Sequence, residues 1–274
     1  MSRCLRAATS SLAGLIVLAG FAPGAQAETV LITGANSGIG LEFTKQYAAK
    51  GWSVIATHRR DETPETLKAV IDEYPNVRAE RMNVTSHDEI KALAAKLEGV
   101  PIDVLINNAG VFALGGAWVG GGEDGADYAG QMFGTFDYEQ FDVFVETNIR
   151  GPMMVSEAFI EHVKASEQKK IIAISSENGR ITGEPLCCGL FWYRMSKAAL
   201  NKLFVQLSAV LKDDGVIVVP LNPGAVRVEK QAELEFPGML ATDFSVGHMI
   251  ETIGKLTLAD SGRFVNYDGT TAPW

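Results

Sequence analysis

Tyr193 and Lys197 stand four residues apart, a spacing that puts a phenol and an ammonium on one helical face about a turn from each other. A free phenol, with a pKa of about 10, is a poor acid–base catalyst near neutrality, and a nearby positive charge lowers that value by favouring phenolate. Such a pair could give a proton to a carbonyl oxygen or take one from an alcohol. A lone Tyr-x-x-x-Lys is more often a solvated helix face, so the surrounding chain must decide. Upstream, Ser176 could donate a hydrogen bond to a reacting oxygen and stabilise its developing charge, with Ser175 as the fallback. The four His, at 58, 87, 162 and 248, are scattered without Cys or acid at ligand spacing, so no metal is expected. No G-x-S-x-G elbow offers a serine hydrolase.

A second constellation lies near the other end, at Thr33-Gly34-Ala35-Asn36-Ser37-Gly38-Ile39-Gly40. Gly34 permits a tight turn, Gly38 lets backbone approach a pyrophosphate, and Gly40 lets a helix pack closely on a strand. The helix that follows would present free N–H groups and the positive end of its dipole to phosphates.

Both constellations need elements to hold them. β-branched runs near Val30–Thr33, Ser53–Thr57, Val77–Met82, Val104–Ile106, Lys170–Ser175, Val216–Pro220 and Arg263–Val265 predict strands. Helical patterns near Ile39–Lys50, Pro64–Tyr74, His87–Leu97, Tyr138–Lys164 and Trp192–Lys212 lie between them. This alternation predicts an α/β fold of Rossmann type, doubly wound, with a seven-stranded mostly parallel sheet and helices on both faces. No internal repeat or linker divides residues 28–274, so one domain is expected. Along the last of these helices, Met195, Ala199, Leu203 and Leu207 are expected to pack. One segment, Gly115 to Gly134, is rich in Gly and acid and long enough to suspect a lid.

The glycine spacing is G-x-x-x-G-x-G, and matching motifs follow along the chain: Asn107-Asn108-Ala109-Gly110, Asn148, Ser175-Ser176, Tyr193-x-x-x-Lys197 and Pro223-Gly224. In this order and spacing the chain resembles the short-chain dehydrogenase/reductase superfamily. The segments Tyr193–Asn201 and Gly262–Trp274 look like its C-factor and sniffer-type carbonyl reductase branch. The resemblance implies a nicotinamide cofactor and hydride transfer between it and a carbonyl or alcohol. Catalysis then falls to Asn148, Ser176, Tyr193 and Lys197, with the oxidised nicotinamide as a second positive charge favouring the Tyr193 phenolate. Cofactor contacts are implied for Gly34, Asn36, Ser37, Gly38, Ile39, Gly40, Arg59, Asn83, Val84, Asn107, Ala109, Tyr193, Lys197, Pro223 and Val226.

Three positions depart from the pattern or extend it. Relatives often carry Asp-Val at the third strand to contact adenine, where this chain has Asn83-Val84. Val228 replaces a frequent Thr, which removes one cofactor contact. Asn148 matches the fourth catalytic position, and Pro152 four residues on supplies a physical reason. A helical proline offers no N–H to the carbonyl four residues back and pushes against it, so a kink should free that oxygen to hold a water and relay protons to Lys197.

Cofactor choice turns on the end of the second strand. No acid precedes Asp61 to receive a ribose 2′-hydroxyl, and Arg59-Arg60 stand there instead. A guanidinium suits a 2′-phosphate, so NADPH is expected over NADH, with Arg59 the better candidate. Phe191, Trp192 and Trp118 near the expected mouth favour an uncharged or apolar substrate.

At the N-terminus, Arg3 and Arg6, the apolar run Leu12–Phe21 and Ala25-Gln26-Ala27 read as a secretory signal peptide over 1–27, with an uncleaved anchor or a misassigned start as alternatives. Export is expected if the leader functions, and a cytoplasmic enzyme if it does not. The formal net charge of −9 argues against nucleic acid as a partner. A small-molecule substrate is expected, and homo-oligomerisation is left open. Three Cys are too few for a disulfide framework. Cys187 and Cys188 could form only a strained vicinal bridge, since adjacent Cα atoms lie about 3.8 Å apart, and two small apolar side chains are an equal reading. A different class of function, an exported nucleotide-binding signalling protein of C-factor type with little turnover, is the alternative to a reductase.

Overall fold

The computed structural model describes residues 27–112, 130–184, 189–229 and 238–274. Residues 1–26, which hold nearly all of the expected signal peptide, Trp118, Cys187 and Cys188, and most of the Gly-rich acidic segment lie outside the described residues. Strands β1 (Thr29–Ile32), β2 (Ser53–His58), β3 (Val77–Arg81), β4 (Val104–Asn107), β5 (Lys170–Ile174), β6 (Ile217–Asn222) and β9 (Val265–Asn266) form one sheet. Its order is β3-β2-β1-β4-β5-β6-β9, and every pairing is parallel. Strand order reverses between β1 and β4, and the crevice at their carboxyl ends is where an open α/β sheet binds ligands.

Alternation along each strand feeds two cores. Val30, Ile32, Val104 and Ile106 face one side, under helix α1 (Gly38–Ala49) with Phe43 and Tyr47 and helix α8 (Thr242–Lys255) with Val246 and Met249. Leu31, Leu105 and Ile171 face the other, under Phe159 and under Leu200 and Phe204 of helix α7 (Phe191–Val210). Helices α2 (Glu65–Glu73) and α3 (His87–Lys96) complete the crossovers. Ser86 caps α3 by accepting from the Glu89 N–H at 3.4 Å, with Asp88 and Glu89 at the positive end of its dipole.

Three sequence expectations need correction. The helix expected over Tyr138–Lys164 is three helices, α4 (Tyr138–Val145), α5 (Gly151–Ala158) and α6 (Ile160–Lys164). Pro152 forces the first break, and the chain answers it with a π-helical turn over Glu146–Arg150, closed by the Gly151 N–H on the Glu146 carbonyl. Helix α8 was not expected, although Val246, Met249, Ile250 and Ile253 carry its apolar stripe. A small parallel pair, β7 (Val226–Arg227) with β8 (Leu240–Ala241), also escaped the pattern, being too short to alternate. The fully buried face of α7 is Ser196, Lys197, Leu200, Asn201, Phe204 and Ser208, beside the expected Met195, Ala199, Leu203 and Leu207, which are half-buried, Leu207 packing against the core.

Candidate active site

The turn after β1 is built as its glycines imply. Gly34 takes a φ of 65°, a left-handed conformation that disfavours any side chain. At Gly40 a Cβ would lie 2.3 Å from the Gly34 carbonyl oxygen and 2.5 Å from Asn108 Nδ2, so helix and turn touch backbone to backbone. Asn108, which the sequence reading left without a role, braces the turn by donating from Nδ2 to the Thr33 and Gly34 carbonyls at 2.9 and 3.2 Å. Thr33 Oγ1 accepts from the Asn108 and Ala109 N–H groups, both at 2.9 Å, and ties β4 to the same turn.

At the mouth of this turn the Gly38 N–H donates to both carboxylate oxygens of Glu229, at 2.9 and 3.2 Å. An anion of the chain's own therefore sits where the free N–H and the α1 dipole favour negative charge. Beside it opens a cleft of about 490 Å³ lined by Lys45, Arg227, Glu229 and Thr242 among others. The carboxylate competes with any phosphate for Gly38, so Glu229→Gln is expected to tighten NADPH binding about fivefold, the effect of one such contact. Fluorescence titration checks this, and unchanged affinity would show that Glu229 does not compete.

The other residues for which the resemblance implies a cofactor contact differ in their surroundings. Arg59 is exposed at the end of β2 with no ion pair among the described residues, while Asp61 beyond it pairs with Arg81 at 3.3 Å. Next to Arg59, Thr57 Oγ1 is buried without a hydrogen-bond partner, and the buried His58 imidazole interacts with the Arg60 backbone. Asn83 Oδ1 is committed to Thr85, accepting from its N–H and hydroxyl at 3.2 and 3.1 Å. Val84 is buried in the α3–α5 core. The Asn107 side chain turns inward, donating to Ser156 Oγ at 3.1 Å, so only its backbone borders the crevice. Ala109 lies against Gly34, where a Cβ would come within 2.9 Å of its Cα. The Pro223 carbonyl accepts from Ser245 Oγ at 2.7 Å, which anchors the turn before β7 and Val226 on α8.

Across the crevice the first turns of α7 carry Tyr193 and Lys197. Ser176 stands beside the Tyr193 phenol, where its hydroxyl favours the phenolate. Its oxygen accepts from the Asn178 N–H and Nδ2 at 3.2 and 3.3 Å, which leaves the hydroxyl proton free to donate. Asn178 in turn accepts from Arg194 Nε at 3.2 Å. Ser175 is excluded from the reacting face, since it is buried and donates to Asn201 Oδ1 at 2.5 Å. At Gly179 a Cβ would lie 2.7 Å from the Lys197 carbonyl carbon, so the whole Ser176 turn presses on α7. Asn178 and Gly179 went unnoticed because only their contacts across the turn reveal them.

Lys197 Nζ donates to the Ile174 carbonyl at 2.8 Å and lies 5.6 Å from the centre of the Tyr193 ring. Burial pushes this ammonium down to about 8. In the chain alone, without the nicotinamide charge that the sequence expectation included, the phenol moves the other way. Burial pushes Tyr193 up to about 12, and the Ser176 hydrogen bond offsets only part of that. Desolvation outweighs an ammonium held beside the ring, so among the chain's own groups Tyr193 stays a protonated donor at neutral pH. Asn148, buried on the π turn, accepts from the Val111 N–H at 2.8 Å and donates from Nδ2 to the Val111 carbonyl and to Ser196 Oγ, both at 2.9 Å. Its side chain does not reach Lys197, and both border Gly110.

Comparison with known proteins agrees with this arrangement. The family described as short chain dehydrogenase matches residues 28–236, and the chain belongs to it. Among curated relatives, 1-hydroxy-2-glutathionyl-2-methyl-3-butene dehydrogenase of Rhodococcus sp. strain AD45 is 31% identical, covering 90% of this chain and 99% of its own. The C-signal of Myxococcus xanthus is 34% identical over 68% of this chain and all of its own length, 100%. Among solved structures, the NADPH-bound carbonyl reductase from chicken fatty liver superposes with a TM-score of 0.77 at 30% identity, covering 91% of this chain and 100% of that one. The carbonyl reductase Sniffer of D. melanogaster gives 0.76 at 27% identity over the same shares, 91% and 100%. The chain is thus an oxidoreductase of the short-chain type, with the C-factor and sniffer-type proteins as its branch and a nicotinamide cofactor as its partner.

Proposed function

We propose that this protein reduces uncharged carbonyl compounds with NADPH, Tyr193 giving the proton to the carbonyl oxygen. The observation that carries the reading is the Ser176 hydroxyl, whose oxygen accepts from Asn178 so that its proton is left for a substrate oxygen, beside a buried Tyr193 phenol that keeps its proton at neutral pH. When bound, the cofactor supplies the hydride. The Gly34–Gly40 turn would hold its phosphates, and Arg59 a 2′-phosphate. Ser176 donates to the substrate oxygen as charge develops there. Lys197 keeps positive charge beneath the phenol and stabilises the phenolate left after proton transfer. The carbonyl of Asn148, on the π turn, would hold a water that returns the proton by way of Lys197.

An uncharged, apolar substrate is supported by the walls of the mouth. The Phe112 ring packs edge-on against Tyr193 with centroids 4.7 Å apart, and Phe136 meets Trp192 at 4.5 Å and Phe191 at 5.1 Å. Turnover of a neutral aromatic aldehyde with NADPH tests the function directly. Arg59→Ala is expected to raise the Kd for NADPH about tenfold and leave NADH within about twofold, because only the 2′-phosphate meets the guanidinium. An equal loss for both cofactors would remove Arg59 from the specificity role.

The C-factor alternative shares the nucleotide site and differs in needing no turnover. The intact set of Asn148, Ser176, Tyr193 and Lys197 favours chemistry. Export by residues 1–27 is part of the proposal, and N-terminal sequencing of the native protein after fractionation checks it. An intact Met1 in the cytoplasm would overturn export without touching the reductase.

A further inference from the structure

The geometry points to Gln131 as the positioning residue that locks the catalytic end of α7 to the Phe112 wall of the substrate mouth. Helix α7 begins without a cap of its own. Its N-cap is Leu190, apolar and held at φ 57°, with no side-chain hydrogen bond to the helix. The first N–H groups of a helix have no partner within it, and unsatisfied ones are costly where water is scarce. Here one residue sixty positions upstream serves two of them. The Gln131 carbonyl accepts from the Phe191 N–H at 3.1 Å, and Gln131 Oε1 accepts from the Tyr193 N–H at 3.0 Å.

The other end of the same carboxamide donates, from Nε2 to the Phe112 carbonyl at 3.2 Å. Gln131 is only 1% exposed, so neither bond is diluted by solvent. A carboxamide accepts from the amide N–H with its oxygen and donates to the carbonyl with its nitrogen, and only one orientation of it satisfies both. The residue is itself fixed. The Asp137 N–H closes its turn on the Gly130 carbonyl at 3.0 Å, and Asp137 then caps α4 by accepting from the Glu139 N–H at 2.9 Å.

The consequence is a closed circuit around the catalytic tyrosine. Asn148 holds Val111 and Ser196, the Ser196 hydroxyl donates to the Tyr193 carbonyl at 2.7 Å, Tyr193 donates to Gln131, and Gln131 returns to Phe112, the neighbour of Val111. Two carboxamides, on opposite sides, thereby fix both the backbone of Tyr193 and the aromatic ring that packs on its phenol. Gln131 touches no reacting atom and acts through Tyr193 and Phe112. This role rests on the reductase reading of Tyr193.

The test uses the full chain with Gln131→Met, close in shape and without either polar function, and Gln131→Glu, read at a pH high enough to ionise it, where it can accept but not donate. Amide hydrogen exchange is read on peptides covering 108–112 and 190–194. Met is expected to raise exchange in both, and Glu only in 108–112, because its carboxylate still caps the Tyr193 N–H. With NADPH and 4-nitrobenzaldehyde, Met should lower kcat about tenfold, the scale of a small misplacement of a catalytic group, while the Kd for NADPH stays within about twofold. Wild-type exchange in the Met variant, or a uniform rise over the whole sheet, would overturn the proposal. An inactive wild type would instead overturn the reductase reading, and the exchange pattern would still decide whether Gln131 braces the two segments.

Discussion

Tyr193→Phe is expected to lower carbonyl reduction by about 10³-fold while NADPH affinity stays within about twofold. The substitution removes one oxygen. It leaves the ring against Phe112 and leaves the backbone hydrogen bonds to Gln131 and Ser196 in place. The loss should therefore fall on the chemical step alone, with kcat and kcat/KM reduced together. Because burial lifts the phenol to about 12, the wild-type protein should reduce carbonyls without needing acid, its donor remaining protonated across the neutral range. The reverse reaction needs phenolate, so alcohol oxidation should rise with pH where reduction does not. Steady-state kinetics in both directions read all of this. A Phe variant that keeps its rate would assign the proton to another group and leave the nucleotide-binding signalling alternative as the better reading.

Lys197→Met is expected to act in opposite directions on activity and stability. Removing the one ammonium that lies against the phenol ring among the described residues should cost about 10²-fold in kcat, since the phenolate left after proton transfer loses that charge. The fold, however, should gain. Lys197 is 6% exposed, and burial holds its ammonium at about 8 against an ordinary 10.5. Below pH 8 the side chain is charged both folded and unfolded, and the folded state bears the full desolvation penalty. Between about 8 and 10.5 the folded lysine sheds its proton while the unfolded one keeps it, so stability rises with pH across that window. Met at this position removes the penalty, on the order of 3 kcal/mol from the shift. The Ile174 carbonyl that loses its donor returns about 1 kcal/mol of it. A Tm higher by a few degrees at pH 7, with the gain over wild type shrinking above pH 8, is the expected result of thermal unfolding. A lower Tm at pH 7 would mean that the buried ammonium stabilises the fold, contrary to its depressed proton affinity.

What could be read from the chain alone was whatever depends on near neighbours in sequence. The Gly34–Gly40 turn and the Tyr193–Lys197 pair are fixed spacings, and their order along alternating strands and helices placed both at one crevice. Pro152 announced a break four residues after Asn148, and the π turn lies there. The misses are contacts made across the fold. Gln131 reaches Tyr193 over 62 positions and Glu229 reaches Gly38 over 191, and nothing in the residues beside them signals either partner. The burial that raises the Tyr193 proton affinity in the chain alone was out of reach for a similar reason: charge neighbours can be guessed from spacing, whereas burial is a property of the finished packing. Helix α8 is a different case, since its stripe at Val246, Met249, Ile250 and Ile253 was legible and simply lay beyond the last helix assigned.

The π turn between α4 and α5 also sets a phase. One extra residue in a turn rotates everything beyond it by about 100° relative to an uninterrupted α-helix. On one side of that offset, Phe141 of α4 meets Trp192 with ring centres 5.1 Å apart. On the other, Val155 and Phe159 bury themselves under the sheet. A straight helix through the same residues could aim only one of these sets correctly. The turn therefore works as a clutch: α4 can be redrawn to suit a different substrate without turning α5 against the core, whereas deleting a single residue within Glu146–Arg150 would misalign one face or the other.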